Sequence, residues 1–160
     1  MAFRRTGGRT HRDVSKAVLF LTVFLLFTSF SLSAASAQVQ ARMRIIRASN
    51  VGPGVDPSLR DVYRDLGSLF SFTSYRLLRD ETLLLSLNRP VVISAHEGRI
   101  IIESTLMGLH QGVADMRIRV FREGKNILNT QVRLSPRRTV LVGGPRSRDG
   151  VIIYAVHANF

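Results

Sequence analysis

Cysteine is absent from all 160 residues. No disulfide, thiolate nucleophile, cysteine-ligated metal or lipid-bearing cysteine is therefore available, and stability has to come from apolar burial. Tryptophan is absent, and beyond Lys16 the only lysine is Lys125. No apolar run is long enough to span a membrane: the longest, Ala17–Phe27, has eleven residues broken only by Thr22, against the ~20 a spanning helix needs. Recognisable catalytic motifs are missing as well. The sequence holds no P-loop, nucleotide fingerprint, G-x-S-x-G elbow, S-x-x-K, EF-hand loop or zinc-type histidine spacing.

What is present begins with a leader. Arg4, Arg5, Arg9, Arg12 and Lys16 precede the apolar core, and a Ser/Ala-rich exit follows it, with Ala35 and Ala37 in small-x-small spacing. This order predicts a secretory signal peptide over residues 1–37, cleaved after Ala37, and a periplasmic or secreted mature protein. An uncleaved anchor is the competing reading, weakened by the short core and by Thr28, Ser29, Ser31 and Ser33 at its end. The Arg4-Arg5 pair is a faint twin-arginine signal, followed by Thr6-Gly7-Gly8 and distant from the core.

The remaining 38–160 is the size of one domain. The leader takes five of the 23 basic residues and one of the 11 acidic ones, leaving 18 against 10, a net charge of +8. Such a balance favours nucleic acid, anionic lipid or an acidic partner. Seventeen of the 18 cations are arginines scattered along the chain, a pattern that GC-rich coding also produces, and export argues against nucleic acid.

Along that domain, Gln38–Arg42 reads as a mobile polar lead and Met43–Ser49 as a first strand ending at the turn formers Asn50–Gly54. Asp56-Pro57 opens an amphipathic helix to Phe70, with Leu59, Val62, Tyr63, Leu66, Leu69 and Phe70 on one face and an Asp61–Arg64 pair on the other. The period then changes to two. Strands are expected at about 73–78, 82–87, 90–95, 99–106, 116–122, 127–134, 139–142 and 151–157, with turns at Arg79–Glu81, His96–Gly98, Glu123–Asn126 and Pro145–Gly150. Met116, Ile118 and Val120 alternate with Arg117 and Arg119, giving one wet face. VVI, RIII and VIIY read as buried on both faces. The predicted fold is α+β, mainly β: an antiparallel sheet or sandwich with one helix packed on it.

Candidate sites are few. His96, His110 and His157 are far apart, and His96-Glu97 falls in a hairpin turn, so a small enzyme using His96, Glu97 or His157 is an alternative rather than the leading reading. Gly143-Gly144-Pro145 with Arg146 and Arg148 fits either an anion-binding nest or a hairpin connection, with the connection preferred. Phe72 and Tyr75 are free to be core or surface. The closing VIIYAVHANF has the look of the last strand of an outer-membrane barrel, but most segments are shorter than the ~9–11 residues such strands need.

The order strand, Pro-initiated helix, paired strands over Met43–Leu87 resembles the small periplasmic N-terminal domains of secretins and TonB-dependent receptors, and Thr139–Pro145 is similar to the T-V-x-x-G-G segment of secretin β-domains. The chain is much shorter than a secretin, and Pro145 departs from the apolar residue that follows the glycines there. The resemblance implies an assembly or docking role at the outer membrane and supplies no site residues. The expected function is a non-enzymatic exported envelope module that binds another envelope protein without a cofactor. Strand addition at a sheet edge is its natural mode, with Arg117, Arg119, Arg133, Arg146 and Arg148 as a possible binding face. A polyanion- or membrane-surface binder is the other alternative.

Overall fold

The computed structural model describes residues 38–95, 99–147 and 150–160. The predicted leader, the His96–Gly98 turn and Arg148 lie outside the described residues. Among the described residues the protein is mainly β, as the alternation predicts, with one short α-helix.

Strand β1 (Gln38–Ser49) is the centre of the first sheet, hydrogen-bonded along its length to β3 (Ser74–Ser86) and β9 (Gly150–Ala158). The two-residue β2 (Gly54–Val55) flanks β3, and β8 (Thr139–Ser147) flanks β9, giving the order β2-β3-β1-β9-β8. The second sheet runs β4 (Pro90–Ala95), β5 (Ile100–His110), β6 (Val113–Arg122) and β7 (Lys125–Leu134) in sequence order. Its hairpins close on Gln111-Gly112 and Glu123-Gly124. All four residues have positive φ, the primed-turn geometry that matches strand twist. Only the second of these turns was legible in the sequence.

The sheets face each other across a core built by strict alternation. Val39, Ala41, Met43 and Ile45 of β1 and Ile152, Tyr154 and Val156 of β9 meet Ile100 and Ile102 of β5, Met116, Ile118 and Val120 of β6 and Leu134 of β7. On the outer side of the first sheet, Ile46, Ala48, Tyr75, Ile153 and Ala155 receive Leu59, Val62 and Leu66 from the helical segment. The first sheet is thus buried on both faces in its middle, and the second on one only.

Several expectations are corrected. Gln38–Arg42 is not a mobile lead but the start of β1, where alternate residues are buried. Arg79–Glu81 is not a turn. It lies inside the continuous β3, whose register slips by one residue at Leu78. That bulge moves β3 from presenting Tyr75 to the helix to presenting Leu83 and Leu85 to the inter-sheet core, because a one-residue slip exchanges the faces of a strand. VVI and RIII are buried on one face only, with Val92 and Ile101 open to solvent. β9 lies inside its sheet with both faces covered by protein, which excludes the closing strand of a lipid-facing barrel.

The helix is shorter than predicted. Asp56 caps a 3-10 turn, Pro57–Leu59, by accepting from the Ser58 amide, and the α-helix proper, α1, is Tyr63–Leu69. A 3-10 turn has 3.0 residues per turn rather than 3.6, so the arc computed for one continuous helix rotates. Leu59, Val62 and Leu66 stay buried, whereas Tyr63 and Leu69 turn outward. Asp61 does not pair with Arg64. It accepts two hydrogen bonds from Arg44, at 2.7 and 2.8 Å, and Arg44 also donates to the Ser58 carbonyl. Arg44 is only 1% exposed, so this two-pronged contact fixes the turn to the sheet. At the other end of α1 the Tyr75 hydroxyl donates toward the Leu66 and Phe70 carbonyls, which also accept from the Phe70 and Phe72 amides, and so ties the helix end to β3.

Candidate binding site

The alternation that builds the core runs out at one end of the sandwich and leaves an opening there. Met116, Ile118 and Val120 point between the sheets, and the next residue in phase is Arg122. Arg99 stands just before β5, its carbonyl accepting from the Glu123 amide. Arg146 comes from the far end of β8. Together with Glu123, these three arginines line a cavity of about 550 Å³ whose remaining walls are Ile45, Leu78, Ala95, Ile100, Ile152 and Tyr154. Among the described residues its lining is therefore apolar, with three cations and one acid contributed by both sheets. Ligand sites commonly fall in this size range and combine apolar walls with a few placed polar groups.

Two local irregularities shape the opening. Leu78 is the extra residue of the β3 bulge, and β8 is bulged between Gly143 and Arg146. Bulges of this kind re-aim side chains at a sheet rim. The two glycines of β8 are explained by aromatic packing rather than by an anion nest. A Cβ on Gly143 would meet the Phe70 ring at 3.4 Å, and one on Gly144 would stand 2.5 Å from Tyr154 Cε2. The expected hairpin connection at Gly143–Pro145 is corrected likewise, since these residues belong to β8.

Tyr154 is fully buried, and its hydroxyl has no hydrogen-bond partner among the described residues. Burial pushes its pKa up to about 12, and the nearby Arg122 charge pulls the other way. The phenol is therefore neutral at physiological pH and has a proton to donate. An unsatisfied buried hydroxyl costs about 1–3 kcal/mol. Tyr154→Phe is accordingly expected to leave stability unchanged or raise it by about 1 kcal/mol in urea unfolding.

The arginines singled out from the sequence do not form one face. Arg117, Arg119 and Arg133 stand together on the outer side of the second sheet, while Arg146 lines the cavity. On that outer side acids accompany the cations: Arg119 is bonded to Glu103, and Arg133 Nε lies 3.2 Å from Asp115 Oδ1. Phe121 lies beside Arg119, whose guanidinium is 5.8 Å from the ring centroid. Arg99 and Arg122 were missed by the sequence reading. Arg122 carried a signal, a cation in phase with three buried residues; Arg99 carried none before the strands were paired.

The histidines are not brought together. His157 sits half-buried within β9, 2.9 Å from Thr139 Oγ1. His110 ends β5 with its ring over Gly108. Among the described residues no three His, Asp or Glu side chains are grouped as metal ligands, and no helix is long and apolar enough to cross a membrane. Compared with family models, curated proteins and solved structures, the chain matches none.

Proposed function

We propose that this chain is a non-enzymatic binding module exported to the bacterial envelope, and that it engages an acidic group of another envelope component at the arginine-lined opening between its sheets. The observation that carries this reading is the convergence of Arg99, Arg122 and Arg146, from distant points of the sequence, on one apolar opening where Glu123 is the one acid among the described residues. Guanidinium groups suit carboxylates and phosphates because their planar donors match two acceptor oxygens at once. The leader-like start of the sequence supports export, and the similarity of Thr139–Pro145 to a secretin segment favours an assembly setting.

In-cell photocrosslinking tests it. A photoreactive residue replacing the exposed Arg99 in the full chain is expected to give a discrete adduct, protein or lipid, identified by mass. The same residue replacing Asn129 on the outer side of the second sheet is expected to give none. Equal labelling at both positions, or none at Arg99, overturns the proposal.

A further inference from the structure

We infer that the ligand of this opening is a single-chain anionic amphipath, a carboxylate or phosphate head carried on an apolar chain. The inference rests on the binding-module reading and names what the module holds. Two observations support it. The walls beneath the arginines are aliphatic: Ile45, Ala95, Ile100 and Ile152, with Leu78 46% exposed among the lining residues. An anion alone gains nothing from them, whereas an alkyl chain gains in proportion to the area it takes out of water. Among the described lining residues the cations outnumber the acid three to one, which selects against a cationic or neutral head.

Size sets the chain length. The cavity measures about 550 Å³ and opens to solvent, within the ~300–1,000 Å³ range of sites that take small ligands. A single chain of roughly twelve carbons with its head belongs to that size class. A two-chain lipid is too large to enter whole.

Calorimetric titration of the protein recovered from cells expressing the full chain tests this, with probes kept below their micelle concentrations. Dodecanoate and dodecyl phosphate are expected to bind one per chain. Dodecanol and dodecyltrimethylammonium are expected to bind at least about tenfold more weakly, and inorganic phosphate and phosphatidylglycerol vesicles not measurably. Arg122→Gln and Arg146→Gln should each weaken dodecanoate about tenfold and leave dodecanol unchanged. Leu78→Glu, at a 46% exposed position, should abolish dodecanoate binding. Glu123→Gln should tighten it about twofold to threefold, a gain that misfolding cannot produce. Equal affinity for alcohol and acid, binding of inorganic phosphate or vesicles in place of the acid, insensitivity to the arginine changes, or no binding at all overturns the inference. A protein adduct at Arg99 in cells together with no dodecanoate binding removes the amphipath and leaves the binding module standing; no adduct removes both.

Discussion

Gly150→Ala is expected to destabilise the fold by at least about 3 kcal/mol, the upper part of the range for overpacking a rigid site, measured as a drop in the urea midpoint at unchanged slope. Gly150 opens β9 opposite Ser49 of β1, and a Cβ there would lie 1.8 Å from the Ala48 carbonyl oxygen and 2.8 Å from its carbon. Both atoms are backbone of the central strand, so no side chain can move aside. The sheet would have to open where β1 and β9 meet. Gly124→Ala is the matching control. Its φ is +76° with nothing within 4 Å of the added carbon, so only the conformational cost of about 1 kcal/mol applies. A Gly150→Ala loss no greater than that of Gly124→Ala would show that the two strands are not packed as described.

The second large effect concerns Arg44 and Asp61, and it is asymmetric. Asp61→Ala leaves Arg44, 1% exposed, with a buried charge and only the Ser58 carbonyl for company. Breaking a fully buried pair costs about 3–5 kcal/mol, and because the Asp61 side chain is 58% exposed, water relieves part of that, leaving about 2 kcal/mol. Arg44→Met is expected to cost about 1 kcal/mol or less, since Asp61 remains hydrated while the methionine fills apolar space. The double variant should then lie within about 1 kcal/mol of the parent. Equal losses for the two single variants would contradict a buried arginine held by an exposed acid.

The same pair sets a pH dependence. Hydrogen bonding from Arg44 holds the Asp61 carboxyl below the usual carboxylate value of 3.8, against the opposing effect of its partial burial. Arg42 acts in the same way on Asp80. A depressed folded pKa contributes stability that is complete above the unfolded value and is lost as pH falls through the folded one. Stability from these two pairs should therefore be flat above about pH 5 and decline below it. Asp61→Asn should shallow that decline, which acid titration of the unfolding midpoint would show.

Much of the fold is legible in the residues because alternation is a local property. The strand pair across Glu123-Gly124 could be read from Met116 to Leu134, since each inward residue is apolar and its neighbours are polar. The cap at Asp56-Pro57 could be read because it depends on two adjacent side chains. What escaped were features set by a neighbour in space. Arg79-Asp80-Glu81 has turn chemistry, yet the Arg42–Asp80 and Arg79–Glu81 pairs accommodate it within a strand. Tyr63 fits the apolar arc of a long helix, yet the 3-10 turn before α1 carries it out to solvent beside Tyr75.

The site divides along the same line. A compact, mainly β, cysteine-free body with a preponderance of arginine follows from composition and pattern, because hydrophobic period and charge are properties of the chain itself. That Arg99, Arg122 and Arg146 meet around one opening follows only from the pairing of β5 with β6, the bulges in β3 and β8, and the stacking of the two sheets. These arrangements join residues dozens of positions apart, and no local preference encodes the distance between them.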